Sequence, residues 1–176
     1  ARRRDVGGTE LTRPSEHPFD DRPVEFWPTV SIRAALESGD ITVWQRIVVA
    51  VKRDPYGRTA RQVEEVLETA APYGISQALT EVLVRARNHL EANERSEAAR
   101  HVLLLQERSG LSESEFASRI GVTREALAAY LDASTSPPAS LMIRMRRLSD
   151  RFAKIRAQQM ASENNLEKIG TGSAFE

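Results

Sequence analysis

The sequence contains no cysteine. That excludes disulfides and cysteine-ligated metal, and it suits a cytoplasmic setting. Aromatic residues are scarce, at 6%, so any core must be aliphatic. Net charge is also missing: 25 basic residues face 25 acidic ones. A strongly basic balance would announce a polyanionic partner, so a surface for one must here come from local clustering. No run of about 18 apolar residues is present, and no membrane span is expected. Long alternation of β-branched residues is lacking too. The nearest approach, Ile47-Val48-Val49-Ala50-Val51, is flanked by helical patterns without the turn pairs that mark hairpins. The start, ARRRDVGGTE, has basic residues but no apolar stretch behind them, so it does not read as a signal peptide. The absence of an initiating Met predicts a processed or trimmed start.

Ala, Leu, Val, Glu and Arg dominate what is present. These favour helices, and the expected class is all-α. Residues 1–27, punctuated by Pro14, Pro18 and Pro23, show no apolar period and read as a flexible arm. Its Arg2-Arg3-Arg4 suits phosphates or a minor groove, or else belongs to an ordinary disordered terminus. Residues 28–95 read as a small helical domain: helices over Ser31–Ser38, Thr42–Arg53 and Arg58–Ala70 are separated by Gly39 and by the turn Asp54-Pro55-Tyr56-Gly57. In that turn proline fixes φ, and glycine permits a positive one. From Ile75 an apolar helical period leads through the charged EANERSEAAR to Val102-Leu103-Leu104-Leu105 without a breaker. This predicts one long helix joining two domains and ending near Gly110. Residues 96–156 form the second domain, and residues 157–176 a helix extension with a flexible tail.

Only the stretch from Leu111 to Pro138, LSESEFASRIGVTREALAAYLDASTSPP, combines residue types and spacing that point to a specific role. Two helices crossing steeply through a tight turn need a small residue where they touch, and Ala117 is available. The turn needs a residue at ease with positive φ, and Gly121 is one. Phe116, Ile120, Val122, Leu127 and Tyr130 bracket it as apolar anchors. Ser112 can cap the first helix with Glu115 as its capping-box partner, and Thr123 can cap the second. The pattern is that of a helix-turn-helix.

Residues 97–148, and above all GLSESEFASRIGVTREALAAYLDASTSPPASLMIRMRRL, resemble the Cro/C1-type (XRE-like) helix-turn-helix regulators. The chain from about Ser31 also resembles actinobacterial or actinobacteriophage proteins in which a small helical domain, with motifs like WQRIVVAVKRDPYGRTARQVEEVL, precedes such a motif. The resemblance assigns no chemistry to that N-terminal part. It implies binding to double-stranded DNA with the second helix in the major groove. By the same resemblance Ser112 and Glu113 lie near phosphate, and the reading helix starts at Thr123. Arg124, Glu125 and Ala128 then face base edges, where they suit guanine, cytosine and a thymine methyl respectively. Ser134 and Thr135 suit phosphates. Three features depart from the family pattern. Glu113 stands where the family often carries Gln, and a carboxylate there repels phosphate. Asp132-Ala133-Ser134 replaces a glycine-containing, often basic turn. The reading helix is rich in alanine, with Ala126, Ala128 and Ala129.

Behind the motif, residues 144–156 carry six basic side chains, Arg144, Arg146, Arg147, Arg151, Lys154 and Arg156, against Asp150. Arg144 and Arg147 are the expected phosphate contacts. In the N-terminal half, Gly74-Ile75-Ser76-Gln77 resembles the start of a second reading helix, with Ala70 four residues before Gly74 as Ala117 is before Gly121. Thr69 and Thr80 replace its apolar anchors, however, and Pro72 interrupts its first helix. If it is real, Arg58, Arg61, Ser76 and Gln77 are its contacts.

The expected function is a DNA-binding transcriptional regulator, a repressor of cellular or phage type. The other reading is an antitoxin-like interaction module that represses its own promoter. A homodimer through the helix after Leu148 would serve either, as would a monomer with two DNA-binding elements. His17, His89 and His101 are scattered, and no Gly-rich phosphate loop, nucleophile elbow or metal-ligand spacing appears. No enzyme activity and no cofactor is therefore expected.

Overall fold

In the computed structural model, which describes residues 21–69 and 75–172, the chain is all-helical, with seven α-helices and no strand among the described residues. They are α1 (Thr29–Glu37), α2 (Ile41–Arg53), α3 (Arg58–Thr69), α4 (Ile75–Ser109), α5 (Glu113–Ile120), α6 (Arg124–Leu131) and α7 (Ala139–Thr171). The chain divides into two compact units between Asn88 and His89, inside α4. No helix among the described residues is long and apolar enough to cross a membrane.

The first unit is built on α2. Asp40 caps it, its carboxylate accepting from the Thr42 backbone N–H at 2.9 Å, after Gly39 has ended α1 with φ +74°. Val43, Ile47, Ala50 and Val51 recur at i, i+4, i+7 and i+8 and are all buried. They meet Ile32 and Leu36 of α1, Val63 and Val66 of α3, and Leu79 and Leu83 of α4. The run 47–51 is thus helical, with Ile47, Ala50 and Val51 on the buried side and Val49 exposed on the other.

The structure corrects one expectation in this unit and qualifies another. The sequence places Val24 and Trp27 at the end of a flexible arm, but both are buried in the core. A 3₁₀ turn at Val24–Phe26 brings them there. Trp27 donates its indole N–H to the Arg22 carbonyl at 2.9 Å, lies under the Arg46 guanidinium, and has its own carbonyl held by Gln62 at 2.9 Å. The prolines that hide any apolar period also favour such a turn. Gly57, read as permitting a positive φ, does not use that freedom. A Cβ there would meet the carboxylate of the exposed Asp54, which would have to turn away. The arm residues Arg2-Arg3-Arg4, the breaker Pro72-Tyr73-Gly74 and Ala70 lie outside the described residues.

The second unit packs the C-terminal part of α4, α5, α6 and the first turns of α7 around Val102, Phe116, Ile120, Leu127, Leu141 and Met145. The long helix expected from Ile75 is α4. It runs 35 residues and ends where Gly110 turns to φ +69°. A Cβ at Gly110 would also meet the Arg156 guanidinium at 2.7 Å. α7 continues well past Ile155, to Thr171, with its last four turns exposed.

Candidate nucleic-acid interface

The segment from Ser112 to Thr135 is assembled by local chemistry. Ser112 Oγ accepts from the Glu115 N–H at 3.2 Å and starts α5. The Glu115 carboxylate, expected to complete a capping box, pairs with Arg119 one turn on at 2.8 Å. Gly121, at φ +80°, ends α5, and its N–H and that of Val122 both return to the Ala117 carbonyl at 3.1 Å. This is the left-handed C-cap that glycine makes without steric cost. Thr123 Oγ1 then accepts from the Ala126 N–H at 3.1 Å and starts α6 only two residues later. Phe116, Ala117, Ile120 and Leu127 are buried at the junction, and Val122 and Tyr130 pack against them.

This packing leaves one face of α6 toward solvent. Thr123, Arg124 and Glu125 are exposed and Ala128 is half-buried. No ion pair engages Arg124 among the described residues. Glu113, in the first turn of α5, is half-buried, and Ser112 is exposed and engaged as a cap. Ser134 and Thr135 are exposed beyond the end of α6. Their backbone N–H groups return to the Ala129 carbonyl at 3.0 and 3.3 Å, and the Ser134 N–H also donates to the Asp132 carboxylate at 2.8 Å. The Ser134 hydroxyl donates to the same carboxylate and, with that backbone donor, holds Asp132 below the usual carboxylate range. Ala133 has φ +64°, unusual for a residue with a side chain, and its carbonyl accepts from Arg95 Nε at 3.2 Å.

The basic residues of α7 are not equivalent. Arg144 reaches back to donate to the Ile120 carbonyl at 2.7 Å, satisfying an orphan acceptor at the end of α5. Arg151 lies 5.6 Å from the Phe152 ring centre, and Arg119 lies over the same ring at 4.8 Å. Arg156 donates to the Arg108 carbonyl, and the Arg108 side chain pairs with Asp150. Arg147 and Lys154 are exposed, with no ion pair among the described residues. The charge excess read from this helix therefore includes side chains already committed within the unit. Charge counting cannot see those long-range ties.

Of the residues assigned to a second element, Arg58 and Gln77 are exposed, at the starts of α3 and α4. Arg61 donates to the Tyr56 carbonyl at 3.3 Å. Ser76 is half-buried, and its carbonyl accepts from Thr80 Oγ1 at 2.7 Å. The turn that would join them lies outside the described residues. A feature of this unit that the sequence does not announce is Arg87. It pairs with Glu64, donates to the Pro55 carbonyl at 2.9 Å and lies over the Tyr56 ring. The hydrogen bond from Arg87 holds the Glu64 carboxyl below its ordinary value. His89 and His101 are exposed, each beside a residue one turn away, Asn93 and Glu97.

No protein-family model, curated protein or solved structure matches the chain.

Proposed function

We propose that the chain is a sequence-specific double-stranded DNA-binding transcriptional regulator, acting as a repressor in the cytoplasm. In this reading α5, the Gly121 turn and α6 form a Cro/C1-type helix-turn-helix. The long α4 joins that domain to the N-terminal helical one. The observation that carries the reading is the capped, glycine-turned pair α5–α6, packed so that Arg124 and Glu125 stand free at the start of α6. The N-terminal turn of a reading helix is the part that meets base edges in the major groove. With alanines filling much of the remaining face, Arg124 is the main discriminating side chain, suited to a bidentate bond with guanine. Arg147 and the exposed Thr135 hydroxyl supply contacts to phosphate.

Selection of bound fragments from genomic DNA by the purified chain tests the reading. It is expected to enrich one motif, and Arg124→Ala is expected to lower preference for that motif by about 1–3 kcal/mol while retaining general affinity. Failure to enrich any sequence, or an enriched motif read equally well by Arg124→Ala, would overturn it.

A further inference from the structure

The exposed half of α7 carries an apolar seam that its own unit does not cover. Met145, Leu148, Phe152 and Ile155 follow a strict alternation of three and four residues. The same register continues through Gln159, Ser162, Leu166 and Ile169. The first members are core: Met145 and Leu148 are buried, and Phe152 packs on them. The later ones are open. Ile155 is 39% exposed, Leu166 69% and Ile169 68%. A 3–4 repeat that persists beyond the domain it serves is the pattern of a helix meant to pair with another along its length.

We propose that this seam is an interface between two copies of the chain, with the two α7 helices antiparallel. The sequence is self-complementary in that direction. Aligning Gln159 with Ser162 of the second copy sets Ile155 against Leu166 and Ile169 beside Phe152, each pair occurring twice about a two-fold axis. The two polar positions fall together at the centre. There the Gln159 amide can donate to Ser162 of the second copy, whose hydroxyl already donates to the Gln158 carbonyl at 3.0 Å and keeps its lone pairs free. A buried polar pair of this kind costs stability but fixes register. Charge agrees with the direction. Arg156 and Glu163 flank the seam on the same side, and the antiparallel alignment brings Arg156 toward Glu163 of the second copy twice. Arg156 keeps its bond to the Arg108 carbonyl through Nη2, and its positive charge is delocalised over the whole guanidinium. A parallel pairing would instead place Arg151 against Arg156 of the second copy, like charge on like. The contact spans residues 152–169, about 26 Å of helix, so the dimer is weak and dissociates on dilution.

The cysteine-free chain allows a clean test without DNA, so its outcome is independent of the function proposed above. Sedimentation of the whole chain is expected to show a reversible monomer–dimer equilibrium. Leu166→Glu with Ile169→Glu, both at exposed positions, is expected to abolish the dimer and leave the helical circular dichroism unchanged. For direction, Ile155→Cys alone is expected not to cross-link, because antiparallel pairing separates its two copies by about 16 Å along the axis. A mixture of Ile155→Cys and Leu166→Cys chains is expected to form a disulfide-linked heterodimer on mild oxidation. A chain that stays monomeric at every concentration, a dimer that survives the double glutamate variant, or ready cross-linking by Ile155→Cys alone would each overturn the proposal.

Discussion

Arg144 Nη1 lies 2.7 Å from the Ile120 carbonyl, so the first basic residue of α7 closes the end of α5 from across the turn. The sequence reads this arginine as a phosphate contact, yet the structure gives it an internal acceptor. Arg144→Ala leaves that carbonyl unpaired at a partly buried site, and a loss of about 1–2 kcal/mol in chemical unfolding is expected. Arg144→Lys, which keeps charge but not the reach of the guanidinium, is expected to recover less than half of it. A variant as stable as the parent would show that water replaces the arginine at no cost.

Arg147 is the contrasting case. It is exposed and tied to nothing in the second unit among the described residues. Arg147→Ala is expected to change stability by less than about 0.5 kcal/mol. In DNA titrations over a range of salt it is expected to weaken binding to all sequences alike and to reduce the salt slope by about 1. A loss confined to one sequence would mean that Arg147 touches bases.

Gly121 separates conformational from steric cost. A Cβ there would meet only Arg144 Nη1, at an ordinary 3.6 Å, so space is adequate. The left-handed φ remains. Gly121→Ala is expected to cost about 1–2 kcal/mol, and Gly121→Asn less, because asparagine tolerates that region better. Thermal unfolding of the three chains should rank glycine, asparagine, alanine. Equal melting points would mean that the turn relaxes to another conformation.

The Glu64–Arg87 pair makes the first unit acid-sensitive. Its carboxyl titrates below the ordinary range when folded, so its contribution is complete above the unfolded value, about pH 4.3, and fades as pH falls through the lower folded value. Glu64 is partly exposed, and about 1 kcal/mol or less is expected. Glu64→Gln is expected to lower stability at pH 7 and to converge with the parent in acid. Curves that stay parallel down to acid pH would place the pair's contribution outside ionisation.

Helices, caps and the Gly121 turn are legible in the sequence because each is set by residues a few positions apart. Ser112 and Thr123 cap the helices they precede, and no breaker interrupts the helix from Ile75 to Ser109. What escapes depends on distance along the chain or on space. Trp27 is drawn into the core by a proline-flanked 3₁₀ turn that carries no helical period. Arg108, Arg144 and Arg156 find partners 24 to 48 residues away, and a tally of charges treats them as free. Gly57 reads as a site for positive φ, whereas the structure keeps its φ out of that region and sets the Asp54 carboxylate beside it.

Ala133 holds a left-handed backbone that glycine would adopt without strain, steadied by Arg95 on its carbonyl and by the Asp132–Ser134 bonds beside it. Most loops can be improved only by trial. Here the direction of improvement is written into one dihedral angle, and the loop following α6 has stability in reserve, one substitution away.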